Sequence, residues 1–192
     1  MGSFDKFKKM HGPPAQCEQP PQRSIKSYAG KLPGELLADW EEAGWCAYGD
    51  GLLWTVNPDE YTEVLADWLE EADGAYAFAR TAFGSVIYWN GSEARIINVL
   101  LGIVSPLFHT MDLMFDWAFC DDTFLDEIAR RREFKEALPR LGAPSREECY
   151  GFFPALAAGG DFDAANLRRV NLRVHLALLR QLFGDRLQVH EP

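Results

Sequence analysis

Between Leu32 and Ala79 the chain has no lysine and no arginine. A surface built from that stretch must rest in water or meet something positive. Long apolar runs are missing too. The longest, Val99 to Phe108, is broken by Gly102, Ser105 and Pro106 and is too short to span a bilayer, so no membrane role is expected. The N-terminus, Met-Gly-Ser-Phe-Asp-Lys-Phe, lacks the apolar segment of a signal peptide. Cys17, Cys46, Cys120 and Cys149 stand far apart with no C-x-x-C pair, which predicts reduced core thiols in a cytoplasmic protein. The four histidines, His11, His109, His175 and His190, show no i, i+4 pairing. There is no H-E-x-x-H, G-x-S-x-G, P-loop or dinucleotide fingerprint. With no nucleophile–base constellation, no metal set and no cofactor motif, the chain reads as a binding protein and not an enzyme.

What is present is apolar and acidic. The 192 residues are 47% hydrophobic and 13% aromatic, enough to bury a core in one large domain or two small ones. The cation-free stretch holds twelve Asp and Glu and four of the six tryptophans: Trp40, Trp45, Trp54 and Trp68. Net charge is −10, which argues against nucleic acid as the default partner and favours basic ones. Residues 1–110 carry 8 basic and 15 acidic side chains, and residues 111–192 carry 11 and 14.

Phe4, Phe7 and Met10 have helical spacing, closed by Gly12 and Pro13, and a Pro- and Gln-rich connector follows through Gln22. Leu32-Pro33 opens a helix to about Ala43, with Leu36, Leu37 and Trp40 inward. Gly49-Asp50-Gly51 signals a hairpin between Trp45–Tyr48 and Leu52–Val56. Asn57-Pro58-Asp59-Glu60 starts a helix to about Glu71, with Tyr61, Val64, Leu65, Trp68 and Leu69 inward. Strands are expected at Tyr76–Thr81, Ser85–Trp89 and Ala94–Leu101, with a two-residue turn at Asn90-Gly91. Helices follow at Met111–Phe119 and from Asp122 or Thr123 to Leu138, and Ser145 caps a short element at Arg146–Tyr150. Gly151 to Gly160 reads as a loop. A last helix over Ala164–Leu182 points Leu167, Val170, Val174, Leu178 and Leu182 or Phe183 inward, with His175 as a helical-face or core residue. The fold class is α+β: a twisted, mostly antiparallel sheet of about five strands with helices on one side, then a helical C-terminal part. The division expected is residues 1–108 and 109–192, with the two parts free to pack as one globule.

Two charged features carry a bland and a sharp reading. Arg130-Arg131-Arg132 with Lys135 can pair with Asp126, Glu127 and Glu136 along a helix, or touch nucleic acid. Asp161-Phe162-Asp163 suits helix capping better than Ca²⁺, because the spacing of a calcium loop is absent. The acids off the apolar stripe of the Asn57 helix are Glu60, Glu63, Asp67, Glu70 and Glu71. Glu63–Asp67 and Asp67–Glu71 are like-charge i, i+4 pairs, each costing roughly 0.2–0.5 kcal/mol in an isolated helix. A solvated acidic face and a docking face for a basic protein both fit.

The residues also resemble a family. Leu32-Pro33-x-x-Leu36-Leu37-x-x-Trp40-x-x-x-Gly44-Trp45, then Tyr48-x-Asp50-Gly51-Leu52-Leu53-Trp54-x-Val56-Asn57-Pro58-x-x-Tyr61 and Arg80-Thr81-Ala82-Phe83-Gly84, is similar to the GAD-like domain. Glu148-x-Tyr150-Gly151-Phe152-x-Pro154-Ala155-Leu156-x-x-Gly159-Gly160 with Val174-His175-Leu176-x-Leu178-Leu179-x-Gln181-Leu182 resembles the C-terminal domain of type VI secretion immunity proteins of the Tdi class. The resemblance runs from about Phe4 to Leu182. It implies a protein that binds a toxin encoded nearby, a basic DNase domain in that class, and a suspected second role at its own operator DNA. It carries over no catalytic residue. On that reading, Glu60, Glu63, Asp67, Glu70 and Glu71 are the first toxin-binding candidates. The exposed loop with Gly159, Gly160, Asp161 and Asp163 is the second. The operator-DNA reading would use the Arg130 cluster or Arg168, Arg169 and Arg173 on the last helix.

Overall fold

A computed structural model describes residues 4–190. The first half runs α1 (Asp5–His11), β1 (Ala15–Glu18), α2 (Gln22–Tyr28), α3 (Gly34–Glu42), β2 (Trp45–Tyr48), β3 (Leu53–Thr55) and α4 (Thr62–Trp68). Four strands follow: β4 (Tyr76–Thr81), β5 (Val86–Trp89), β6 (Ala94–Asn98) and β7 (Ile103–Pro106). The rest comprises α5 (Arg131–Leu141), β8 (Glu148–Phe152), β9 (Leu167–Asn171), α6 (Leu172–Phe183) and β10 (Gln188–Val189).

The class is α+β with a large, mostly antiparallel sheet, but the sheet has eight strands, not about five. β1 to β7 are neighbours in chain order, each antiparallel to the next, and β10 joins β7 in parallel. The strands missed by sequence are those without a burial pattern. All four residues of β1 are exposed, β7 buries only Val104, and β10 has two residues. The Gly49-Asp50-Gly51 hairpin forms as expected, with all three residues at positive φ (57°, 59° and 96°). Asn90-Gly91 belongs to a four-residue connection, because Asn90 Oδ1 accepts the N–H groups of Ser92 and Glu93 and so closes a longer loop.

Both faces of the sheet are covered, so the one-sided arrangement is corrected. Along β5, Ile87 and Trp89 enter one core, and Val86 and Tyr88 the other. The first core takes Phe4, Phe7, Leu36, Trp40, Met114, Phe115, Phe119 and Phe134. The second takes Val64, Leu65 and Trp68 of α4 with Leu172, Leu176, Leu179 and Phe183 of α6. Each core therefore draws on residues before and after position 108.

The C-terminal part is helical with additions. Helix is expected at Met111–Phe119, and π-helical Leu113–Trp117 with a 3-10 turn at Ala118–Cys120 forms there. The Asp122–Leu138 helix is broken at Arg130, whose φ of 56° is left-handed, and α5 continues through Pro139 to stop at Gly142 (φ 70°). The element expected at Arg146–Tyr150 is the strand β8, paired with β9. The last helix starts at Leu172 and not Ala164, because Asn171 Oδ1 accepts the Val174 N–H and caps it there. Its inward side is Leu172, His175, Leu176, Leu179 and Phe183, whereas Val174, Leu178 and Leu182 face solvent.

The cysteine expectation is corrected as well. Cys17 on β1 and Cys46 on β2 are joined by a disulfide, with Cα atoms 4.2 Å apart, while Cys120 and Cys149 are free. Twenty-nine residues separate the two partners in sequence, and only the β1–β2 pairing, which has no sequence signature, brings them together. A loop of that size restricts the unfolded chain by about 3–4 kcal/mol in the chain-entropy picture. Reduction, or Cys17→Ser, is expected to lower the melting temperature under otherwise equal conditions. Thiol titration of the denatured oxidised chain should find only the Cys120 and Cys149 sulfhydryls.

His175, expected as a helical-face or core residue, is a core residue. It is 5% exposed, and a Cβ on Gly151 of β8 would lie 2.6 Å from its ring, so that strand needs glycine for the helix to pack. Nε2 has no hydrogen-bond partner, and burial pushes the pKa down from 6.5 to about 4. The unfolded chain therefore takes up this proton first. Stability from this group is full above about pH 6.5 and falls as pH drops toward about 4, by about 3 kcal/mol in all. Urea titrations across that window should show the decline, and His175→Gln should flatten it.

Candidate partner-binding site

Asn57 Oδ1 accepts the Asp59 N–H at 3.1 Å, Pro58–Tyr61 forms a 3-10 turn, and α4 follows. The helix stops at Trp68, three residues short of Glu71, with Leu69 extended. Asp67, Glu70 and Glu71 would otherwise stack against the negative end of the helix dipole. Asp67 and Glu71 are therefore not an i, i+4 helical pair. Val64, Leu65 and Trp68 go inward as expected.

The five candidate acids fall into two groups. Glu60, half-buried, lines a cavity of about 500 Å³ with Glu18, Tyr61, Arg146, Glu147 and Arg173. Asp67, Glu70 and Glu71 line a wider groove of about 820 Å³ with Asp73 and Arg180. Glu63 lies between them on the exposed side of α4. Asp161 and Asp163 are elsewhere and already engaged: Asp161 Oδ1 accepts from Asn166 Nδ2 at 3.0 Å, and Asp163 Oδ1 from the Ala165 N–H at 2.8 Å. They cap their own loop.

Part of the acidic stretch does receive counter-charge, from outside it. Lys8 Nζ lies 2.8 Å from buried Asp39 and 3.6 Å from Glu42. Burial raises the Asp39 pKa, and Lys8 opposes that rise. Asp59 accepts a hydrogen bond from the Tyr28 hydroxyl. Arg180 Nε reaches the Asp67 carbonyl at 2.7 Å. Among the described residues, the carboxylates of Glu60, Glu63, Asp67, Glu70 and Glu71 take part in no ion pair.

The three arginines of the cation cluster are paired where they stand. Arg131 forks onto Asp126 (2.8 and 2.9 Å) and reaches Asp122 (2.9 Å). Arg130 lies against Glu127 and Glu133, and Arg132 is 3.7 Å from Asp126. The left-handed break at Arg130 puts Asp126 and Arg131 together at five residues, not three or four. Arg168 and Arg169 lie on β9 and not on the last helix. Arg169 faces Glu148 at 3.3 Å, and Arg168 covers the Phe153 ring.

Sequence reasoning passed over Arg80. It is fully buried in β4, 4.5 Å over the Trp54 ring, and among the described residues it forms no ion pair with a carboxylate. Nη1 donates to the Thr81 carbonyl, and Nη2 to those of Ser145 (3.2 Å) and Arg146 (3.1 Å). Burial lowers its pKa, and the same apolar surroundings push the Cys149 thiol up to about 12. Arg146 returns across the seam to the carbonyls of Gln16 and Trp45, and to Glu18 at 3.4 Å. The 500 Å³ cavity opens beside this double tie. The one signal available was a charge at the end of an otherwise apolar strand.

A GAD-like domain model matches residues 2–102. The chain belongs to the GAD-like family. Residues 111–183 of this GAD-like protein match the model of the C-terminal region of the type VI secretion immunity protein Tdi1. No curated protein matches the sequence. Among solved structures, the crystal structure of Atu4351 from Agrobacterium tumefaciens is similar at 20% identity and a TM-score of 0.79, covering 93% of this chain and 88% of that one. At that identity the likeness establishes a shared fold.

Arg80→Met would leave the Ser145 and Arg146 carbonyls unanswered inside the seam. The loss is expected to be about 3–5 kcal/mol in urea unfolding. Arg130→Met, in the partly exposed cluster, should cost far less.

Proposed function

We propose that this chain is an immunity protein. It binds a toxin of the type VI secretion system inside the producing cell and neutralises it by contact, without catalysis. The observation that carries the reading is the coincidence of two things: the Tdi1 C-terminal match over residues 111–183, and carboxylates on and beside α4 with no ion-pair partner. A nuclease must attract a polyanion, so its cleft is electropositive, and carboxylates can stand where phosphates would. The toxin proposed is therefore a DNase with a basic domain. The contacts proposed are Glu60, Glu63, Asp67, Glu70 and Glu71, ahead of Asp161 and Asp163, which are committed to their own loop. The operator-DNA role has less support, because Arg130, Arg131 and Arg132 are paired with carboxylates. The cytoplasm is the proposed site of action. The Cys17–Cys46 bridge runs against a reducing compartment, so thiol trapping in whole cells is the direct check.

Affinity capture of the toxin encoded beside this chain tests the reading. Binding should weaken steeply with salt, and no binding at low salt by the folded protein would end the proposal. Glu63→Lys with Asp67→Lys should leave unfolding free energy within about 0.5 kcal/mol of the parent. The pair should slow association by about tenfold or more at low ionic strength, measured by stopped flow.

A further inference from the structure

Phe7 and Ile25 are core residues, and from Lys8 to Ser24 between them no residue is buried. β1 lies within this stretch, at the edge of the sheet, with all four residues exposed. Its ladder to β2 is short and irregular. Ala15 faces Ala47, Glu18 faces Trp45, and the register shifts between them. A segment with so little apolar burial belongs to the least stable part of a fold. The Cys17–Cys46 bridge adds a covalent hold on it.

The two residues that flank Cys17 grip the other side of the seam. The Gln16 carbonyl accepts from Arg146 Nη2 at 3.1 Å, and the Gln16 side-chain amide donates to the Pro144 carbonyl at 3.3 Å. The Glu18 carboxylate lies 3.4 Å from Arg146 Nε and forms part of the wall of the cavity of about 500 Å³. Each of these contacts is weak alone, and all depend on β1 staying in place. The bridge therefore sets how firmly Arg146 is gripped from the β1 side.

Its two sulfurs are not equally placed. Cys17 is exposed, whereas Cys46 is fully buried on β2, with Sγ 3.0 Å from the Ala43 carbonyl. An incoming thiolate reaches the bridge from the Cys17 side. We propose that Cys17 is a site of thiol–disulfide exchange with a cellular dithiol, and that opening the bridge releases β1 and its grip on Arg146. One thiolate of the dithiol attacks Cys17 Sγ, the Cys17–Cys46 bond breaks, and Cys46 leaves as a thiolate. Cys46 takes up a proton from water, and its S–H turns to the Ala43 carbonyl. The second thiolate of the dithiol attacks its own partner sulfur in the mixed disulfide and frees Cys17, which is protonated in turn. The bridge gains two electrons and two protons, and the dithiol is oxidised to its disulfide. Arg80 keeps the Ser145 and Arg146 carbonyls, and Arg146 keeps that of Trp45, so the loop stays on the sheet and only its β1 side opens. The switch acts whatever partner the chain binds.

The full oxidised chain is given a brief pulse of reduced glutathione, a monothiol that stops at the mixed disulfide, and quenched into denaturant with N-ethylmaleimide. Peptide mass spectrometry is expected to find glutathione on Cys17 and maleimide on Cys46. The reverse pattern, or no adduct, overturns the assignment of the reactive sulfur. Hydrogen exchange over seconds, too brief for global unfolding to contribute, then compares the oxidised chain with the chain in dithiothreitol. β1 should exchange about tenfold faster or more on reduction, with β5 and β6 protected in both states. Exchange over β1 that agrees within about twofold means that its other contacts suffice, and the release is wrong. Loss of protection in β5 and β6 as well means that the whole fold opens, and local release is again wrong. In the Cys17→Ser, Cys46→Ser chain, phenylglyoxal should label Arg146 about fivefold faster or more than in the oxidised parent, with Arg80 unlabelled in both. Equal labelling of Arg146 shows that β1 never gripped it and overturns that part of the switch.

Discussion

The buried guanidinium of Arg80 is the constraint on which the two halves of the chain depend. A charge paired with no carboxylate among the described residues is tolerated in a core only if most of its desolvation is answered, and of the three Arg80 nitrogens only Nε is left without a partner. Here the answer comes from carbonyls on two sides of the molecule, Thr81 within β4 and Ser145 and Arg146 in the loop before β8, with the Trp54 face beneath. Carbonyls can do this only from fixed positions, so the loop at Ser145 is held to the sheet by direction as well as by proximity. Arg146 supplies the reverse tie to Gln16 and Trp45. Two arginines thus stitch the seam in opposite directions, and α6 is carried into place on β9, which pairs with the anchored β8.

A sheet covered on both faces follows from that seam. Because α4 and α6 occupy the face opposite α1 and α3, central strands such as β5 must be apolar on both sides. Such strands show as continuous runs and not as alternation. This arrangement also explains the placement of charge. With both faces buried, the surface left for recognition consists of helix backs, loops and the sheet edges, and α4 with α6 presents adjacent helix backs.

The legible parts of the sequence were those governed by local chemistry. The Gly49-Asp50-Gly51 hairpin needs left-handed residues, and Asn57-Pro58 caps a helical start. β4, β5 and the inward residues of α4 follow from apolar patterning. What failed needed a partner distant in sequence. β1 has no buried residue, so neither the strand nor the Cys17–Cys46 bridge it creates could be inferred. The final helix was misread for a subtler reason. Leu167 and Val170 fit the helical period of Val174, Leu178 and Leu182, but they belong to β9, and the cap at Asn171 resets the phase. Periodicity detected an apolar stripe and could not tell that its helical part faces solvent. Of the candidate site, the acids of α4 were legible as unpaired charge. Their division between a seam cavity and an open groove was not, because the cavity walls come from β1, the Arg146 loop and α6.

The twelve acids of the cation-free stretch now divide by what they do for folding. Asp39 is buried against Lys8, and Asp59 receives the Tyr28 hydroxyl, so both are part of the packing. Asp67, Glu70 and Glu71 work against it. They stand at or just past the carbonyl end of α4, where a cation would gain about 0.3–1 kcal/mol and an anion loses a similar amount. The chain cuts the helix short at Trp68 and leaves these carboxylates beside Arg180, which gives its Nε–H to a backbone carbonyl. Substituting lysine at any of these exposed sites would ease the helix end and disturb no core contact. Their negative charge is thus unfavourable to the fold on its own terms. Under the function proposed above, that charge would serve long-range attraction of a basic partner, the one effect that many weakly placed like charges produce better than a few well-placed ones.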